Sequence, residues 1–321
     1  MNGNKANMQG KFEFDKLPPE LKVESAQNLS IPDLANLAQT SKYHLALFKP
    51  VIDVRKLLHH VVRGEYEAVA RILKKDISLM FKRGKVKDCS GRIFDSISAF
   101  EYALWALDKH MWTTMLECVP RNKEGRKVLA KLLSQYNQIN AGQVAYRLNG
   151  KTVAEKHFDF KNTIIKELQM LVDSINAPVA QDWSAIDKQW REGVGGAQRL
   201  LPMHAVFAYC SNEPFYPIPE FASRPKSSKQ YYNWRTDKHE NWFGVDSLLG
   251  VDFAIYKGTP SMWPMGGRAC TGLAGACRWG VQVDLAALKA LYETRTKDFI
   301  NLKSKLEKEM ALDNRYQAFQ F

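Results

Sequence analysis

A chain of 321 residues with 45% apolar and 11% aromatic side chains suits one large domain or two to three small ones, and excludes a chain that is disordered throughout. Its net charge of +12 raises the question of nucleic acid, because basic side chains that neutralise phosphates release counterions. Positive and negative residues alternate along most of the chain, however, and only Phe81 to Arg92 (FKRGKVKDCSGR) forms a basic cluster, so nucleic acid is not the expected partner.

No run approaches the roughly 20 apolar residues of a membrane helix. The longest, Leu200 to Tyr209, is interrupted by Pro202 and His204. The opening MNGNKANMQGKFEFDK lacks the apolar core of a signal peptide, which implies a cytoplasmic protein. Cys89, Cys118, Cys210, Cys270 and Cys277 are scattered, with no CxxC pair and no zinc-type histidine spacing. Reduced thiols, with no metal and no cofactor, are the expectation.

In chain order, residues 1–13 read as a polar, disordered tail. In residues 14–50, Ser30 caps a helix that begins near Pro32, with Asp33 at its positive end and Leu34, Leu37 and Ala38 on one face. Residues 51–180 carry helix-period apolar positions. Leu57, Leu58, Val61 and Val62 form one stripe, Gly64 breaks it, and Ala68, Val69, Ile72 and Leu73 form the next. The basic cluster reads as a β-hairpin turning at Ser90–Gly91, with a solvated tip. Ser98 and Glu101 make a capping box that opens a helix over Ala99 to Leu107, with Met111 to Val119 as its partner. Trp105 and Trp112, at helical spacing among apolar neighbours, read as core. Longer helices follow over about Glu124 to Leu133 and His157 to Ile175, the second ended by Asn176 and Pro178.

Residues 181–321 read as a C-terminal α+β region. Asp252 to Tyr256 and Trp279 to Val283 alternate as strands do, joined by the glycine-rich GGRACTGLAGACRWG. A final helix runs from about Val283 to Met310, with Leu285, Leu288, Leu291, Phe299, Leu302 and Leu306 at helical spacing. The fold class expected is therefore mainly α, with this mixed region at the C-terminus.

The segment LPPELKVESAQNL (17–29), followed by SIPDLANLAQTSKYHLALF, resembles an F-box. Leu17, Pro18, Glu20, Leu21, Leu29, Asp33, Leu34, Leu37, Ser41 and Lys42 match that pattern with no inserted or deleted residue. The resemblance implies a three-helix unit over residues 14–50 that docks on the Skp-type adaptor of a cullin–RING (SCF-type) ubiquitin ligase. It assigns Leu17, Pro18, Glu20, Leu21, Val23, Leu29, Leu34, Leu37 and Ser41 to the adaptor-binding surface. Lys22, Ser25 and Ala26 depart from the pattern, since F-boxes usually carry larger apolar residues there, and they imply a reduced interface or a helix turned outward.

LLHHVVRGEYEAVARIL (57–73) resembles the helix pair of an ankyrin repeat, and FEYALWALDKHMWTTMLECV (100–119) repeats it, with Asp108 near the place of Gly64. The offset exceeds the ~33-residue ankyrin period, and the surplus falls on the hairpin, which would be an enlarged finger. A plain pair of helical hairpins accounts for the same pattern. An F-box followed by helical pairs is similar to effectors that intracellular bacteria inject into host cells. That resemblance implies action in the host cytoplasm and an unidentified host protein as the target brought to the ligase.

Two alternatives stand beside this reading: a scaffold with no ligase recruitment, and an enzyme that modifies host proteins through the C-terminal region. His204, Cys210, Cys270 and Cys277 allow a Cys–His nucleophile, and Arg191, Arg199 and Glu293 are candidates for a transferase by residue type alone. The glycine-rich stretch lacks the Lys-Ser/Thr of a P-loop and the spacing GxGxxG. No catalytic residue is assigned.

Overall fold

The computed structural model describes residues 14–257, 269–273 and 278–318, the side chains of 278 and 312–318 excepted. The chain divides into two compact units at Lys56/Leu57.

In the first unit, α1 (Pro19–Ala26), α2 (Ile31–Gln39) and the start of α3 (Lys42–Val62) surround a small core. Proline is tolerated at the start of α1 and α2 because the first helical N–H groups have no partner to lose. The Ser30 hydroxyl accepts from the Asp33 N–H at 3.2 Å and donates to the Asp33 carboxylate at 2.6 Å, which closes the start of α2. Along α3, His44, Phe48 and Ile52 recur every fourth residue, and all three are buried. Phe48 and Ile52 meet Ala26, Leu34 and Ala38, with Phe14, Val23, Leu29 and Leu37 packed at the margin. Arg55 donates to the Leu29 carbonyl at 2.8 Å and ties α3 to the loop before α2.

In the second unit, α3 turns through Gly64 (φ +64) into α4 (Tyr66–Leu73). Strands β1 (Arg83–Lys87) and β2 (Ile93–Ser98) follow, then α5 (Ala99–Trp105), α6 (Lys109–Glu117) and α7 (Lys123–Ala141). The capping box at Ser98 forms as expected: its hydroxyl accepts from the Glu101 N–H and its own N–H donates to the Glu101 carboxylate. Trp105 and Trp112 are both core residues. The turn between α5 and α6 has its left-handed residue at Leu107 (φ +56), while Asp108 caps α6 by accepting from Met111 N–H at 3.0 Å. Position 108 therefore does the work of a cap, and the backbone counterpart of Gly64 is the residue before it.

Residues 57–180 are not helical apart from one finger. Strands β3 (Val144–Leu148) and β4 (Lys151–Glu155) join β1 and β2 in a four-stranded sheet of order β1-β2-β3-β4. The Asn149–Gly150 dipeptide, with φ of +49 and +77, turns β3 into β4. That dipeptide between alternating residues was the available signal for this hairpin. Nor is the β1–β2 tip solvated. Asp88 and Arg92 are buried, with the carboxylate and guanidinium 3.3 Å apart, and Arg92 donates to the Leu200 carbonyl at 2.8 Å. The basic cluster is thus partly an internal ion pair, and the hairpin end is docked rather than protruding.

A π-helical turn (Lys161–Ile165) leads into α8 (Lys166–Asn176), followed by α9 (Trp183–Lys188), α10 (Gly195–Gln198) and α11 (Met203–Cys210). The expected boundary at 180 falls between α8 and α9, inside this unit. Strands β5 (Gln230–Asn233), β6 (Lys238–Asn241), β7 (Ala254–Lys257) and β8 (Ala269–Gly272) form a second sheet of order β6-β5-β8-β7. β7 overlaps the strand expected over Asp252 to Tyr256, beginning two residues later and ending one residue later. β8 arises from part of the glycine-rich connection; residues 266–268 and 274–277 of it, Cys277 included, lie outside the described residues.

The strand expected over Trp279 to Val283 is instead the first turn of α12 (Arg278–Ala318). A Cβ on Gly280 would stand 2.7 Å from the Tyr256 ring, so glycine here permits helix and strand to approach closely. Helix α12 packs on α7 and α8, with the Tyr136 and Phe299 rings stacked at 4.7 Å. The molecule is mainly helical with a C-terminal α+β region, and none of its described helices is long and apolar enough to cross a membrane.

Candidate docking surface

The residues matched to the F-box pattern divide by burial. Pro18, Glu20, Leu21 and Ser41 are exposed, while Leu17, Val23, Leu29 and Leu37 are half-buried. Leu34 is 0% exposed. It belongs to the unit's own core and offers no surface of its own.

Leu21, on α1, is 45% exposed. Its neighbour Lys22 is buried along its stem, and its ammonium stands over the Tyr43 ring at 4.7 Å from the centroid. Of the three residues that depart from the pattern, Lys22 packs its aliphatic stem inward, Ala26 is buried in the core, and Ser25 faces solvent. Tyr43 (49%) and Leu45 (47%) add apolar surface that the pattern matching did not assign. Their signal was present in the chain, since both fall beside the inward stripe His44–Phe48–Ile52 rather than on it. His44 is held by Thr40 Oγ1, 2.7 Å from its Nδ1, and its ring packs against Phe14, Tyr43 and Phe48.

His204, Cys210 and Cys270, the described members of the Cys–His arrangement, are all buried. His204 is buried, with Nε2 2.8 Å from the Ala106 carbonyl, and burial pulls its pKa down to about 3. Burial pushes the Cys210 and Cys270 thiols up to about 12, opposite to what a nucleophilic thiolate needs. Arg191 donates to the Val251 carbonyl, Arg199 is exposed in the turn just after α10, and Glu293 is exposed on α12. Among the described residues, no group of three or more His, Cys, Asp or Glu side chains is arranged to hold a metal ion.

Another polar centre escaped the sequence reading. The Lys257 ammonium is buried and donates to the carbonyls of Ala208 (2.8 Å), Tyr209 (2.9 Å) and Ser211 (2.8 Å) and to Ser211 Oγ (3.0 Å). Burial pulls its pKa down to about 7 and pushes that of Asp284, which accepts from the Lys257 N–H, well above the carboxylate range. The carbonyls at the end of α11 lack helical partners, and Lys257 supplies them. The cluster is a helix terminus closed by a strand residue. A lysine in an apolar strand such as AIYK has no local pattern that announces such a role.

Comparison with known proteins gives two matches. The family model described as the CBUA0006 C-terminal domain matches residues 163–306. The uncharacterized protein CBUA0006 of Coxiella burnetii is 35% identical over 266 residues, covering 77% of this chain and 73% of that protein. No solved structure matches.

Proposed function

From the premise that the chain belongs to the family of the Coxiella burnetii protein CBUA0006, we propose that it is a substrate-recruiting, F-box-type adaptor of a cullin–RING ubiquitin ligase. Residues 14–50 dock on the Skp-type adaptor, and the rest of the chain holds an unidentified protein target. The reading is carried by one observation: a three-helix unit whose Leu-Pro start leaves Pro18, Glu20 and Leu21 facing solvent over a small core. Such a unit makes a sparse core of its own and gains from covering its apolar face with a partner. The helical pairs around Gly64 and Leu107, ankyrin-like in sequence, are the platform for the target. The chain's role is recruitment without chemistry of its own, in keeping with the protonated state of its described thiols. A relative in a bacterium supports the further reading of an effector that acts in the host cytoplasm after secretion.

The test is a pull-down of purified Skp-type adaptor by the full chain. Replacing Leu17 and Pro18 together by Ala is expected to weaken binding by at least ~2 kcal/mol, as for interface anchors. Equal retention of the adaptor by the wild type and the double variant overturns the reading.

A further inference from the structure

The first sheet is incomplete in its middle. β1 pairs with β2 along its length and β3 with β4 along its length, but β2 and β3 meet only at Ile93–Arg147. Beyond that bridge the strands part, leaving a cleft of about 450 Å³ bordered by Asp95 to Ile97 on one side and Gln143 to Arg147 on the other. Its size falls in the roughly 300–1,000 Å³ range of ligand sites.

The main chain at this cleft is oriented by parity. In a two-residue hairpin the closing pair exchanges both backbone bonds, and so does every second pair outward. With Leu148–Lys151 closing the turn, Tyr146–Val153 and Val144–Glu155 bond within the hairpin, so Ala145 and Arg147 turn their N–H and C=O toward β2. On β2, the Arg92 carbonyl accepts from Asp88 N–H on the β1 side, which turns Ile93 and Asp95 toward β3. Arg147 finds Ile93, whereas Ala145 and Asp95 face the opening, and both residues are exposed.

Charge at the cleft is matched internally. Arg147 forms two hydrogen bonds to the Asp95 carboxylate, at 3.0 and 2.8 Å, and Arg83 is paired with Glu101. A lining of paired charges has nothing spare for a phosphate chain. It suits an uncharged partner that presents alternating N–H and C=O groups, which is the main chain of an extended peptide.

We propose that the opening between β2 and β3 receives an extended segment of a partner polypeptide, paired through Ala145 and Asp95 and completing the sheet by strand addition. Side chains of the segment pass alternately over and under the sheet, so recognition is by main chain first and sequence second. This site lies outside residues 14–56, and its failure leaves adaptor docking untouched.

The test uses the full chain and a phage-displayed library of random peptides about six residues long, the length of an ordinary strand. Enriched peptides are synthesised, their affinity is measured by fluorescence anisotropy, and bound complexes are mapped by amide hydrogen exchange. Protection is expected at the amides of Asp95 and Ala145. Methylating one backbone nitrogen of the peptide is expected to weaken binding about tenfold, as loss of a main-chain hydrogen bond requires. Ala145→Pro removes the donor that faces the cleft, and Gln143→Trp fills the opening without altering the backbone. Either is expected to abolish binding while the far-ultraviolet spectrum is unchanged, and the second decides the matter if the first fails to fold. No enriched peptide, protection elsewhere, or binding that survives Gln143→Trp would overturn the proposal.

Discussion

Arg92 and Leu200 are joined by a 2.8 Å hydrogen bond from guanidinium to main-chain carbonyl, which fastens the turn of the first hairpin to the segment before α11. The same guanidinium is paired with Asp88 and lies about 5 Å from the rings of Trp105, Tyr146 and Phe158. Removing one member of a buried pair leaves the other charge uncompensated, at a cost of roughly 3–5 kcal/mol. Arg92→Met is expected to destabilise the protein by that amount in urea unfolding. Combining it with Asp88→Asn is expected to recover part of the loss. A double variant as unstable as the sum of the singles would remove the ion pair from the explanation.

Leu34 and Leu21 separate stability from docking. Leu34→Ala empties a fully buried site and is expected to cost about 2–5 kcal/mol. Leu21→Ala changes an exposed side chain and is expected to stay within ~0.5 kcal/mol of the wild type while weakening adaptor binding. Thermal melting and the pull-down, run on both variants, distinguish the two roles. A Leu21→Ala protein that melts early and binds normally would reverse the assignment.

The sequence reading succeeded where information is local. The serine caps at Ser30 and Ser98 act within one turn of their own helices, so a few adjacent letters suffice. It failed where tertiary packing decides. WGVQV has strand-like alternation, but the ring of Tyr256 against Gly280 and the buried carboxylate of Asp284 place it at the start of α12. In residues 14–50, helices form where the proline and serine starts placed them. Burial showed that Leu34 faces inward, while Tyr43 and Leu45 remain outside, as their places beside the His44–Phe48–Ile52 stripe already implied. The opening between β2 and β3 had no signature, because it depends on how far two strands remote in sequence run together.

Acid is expected to weaken the fold through His204. Its folded pKa of about 3 lies below the ordinary value of 6.5, so between those values the unfolded chain holds a proton that the folded chain lacks. Stability is therefore present above pH 6.5 and declines as pH falls toward 3, by up to about 1.4 kcal/mol per pH unit for one proton. Asp108, pushed by burial to about 6, acts in the opposite sense below that pH and offsets part of the loss. His204→Gln keeps a donor for the Ala106 carbonyl and is expected to lessen the dependence of melting temperature on pH between 6.5 and 5, the remainder coming from His110 and His157, which burial also pulls down. An unchanged slope would exclude His204 as the source.

Cys210 and Cys270 are expected to resist alkylation in the folded protein at neutral pH, since both thiols stay protonated and buried. Iodoacetamide labelling followed by peptide mass spectrometry should modify them only after denaturation. Rapid native labelling of Cys210 would revive a nucleophilic role for it.

The packing of α12 bears on what residues 163–306 represent. Phe299 stacks on Tyr136 and meets the His157 ring at 4.4 Å, while Asp298 is 3.1 Å from the Lys109 ammonium. All three partners precede residue 163. A chain cut there would bare an aromatic seam along α12, so the stretch matched by the C-terminal domain model is expected to need residues before 163 in order to fold. Expressed without residues 57–162, it should aggregate, and those residues supplied as a separate fragment should restore it to solution.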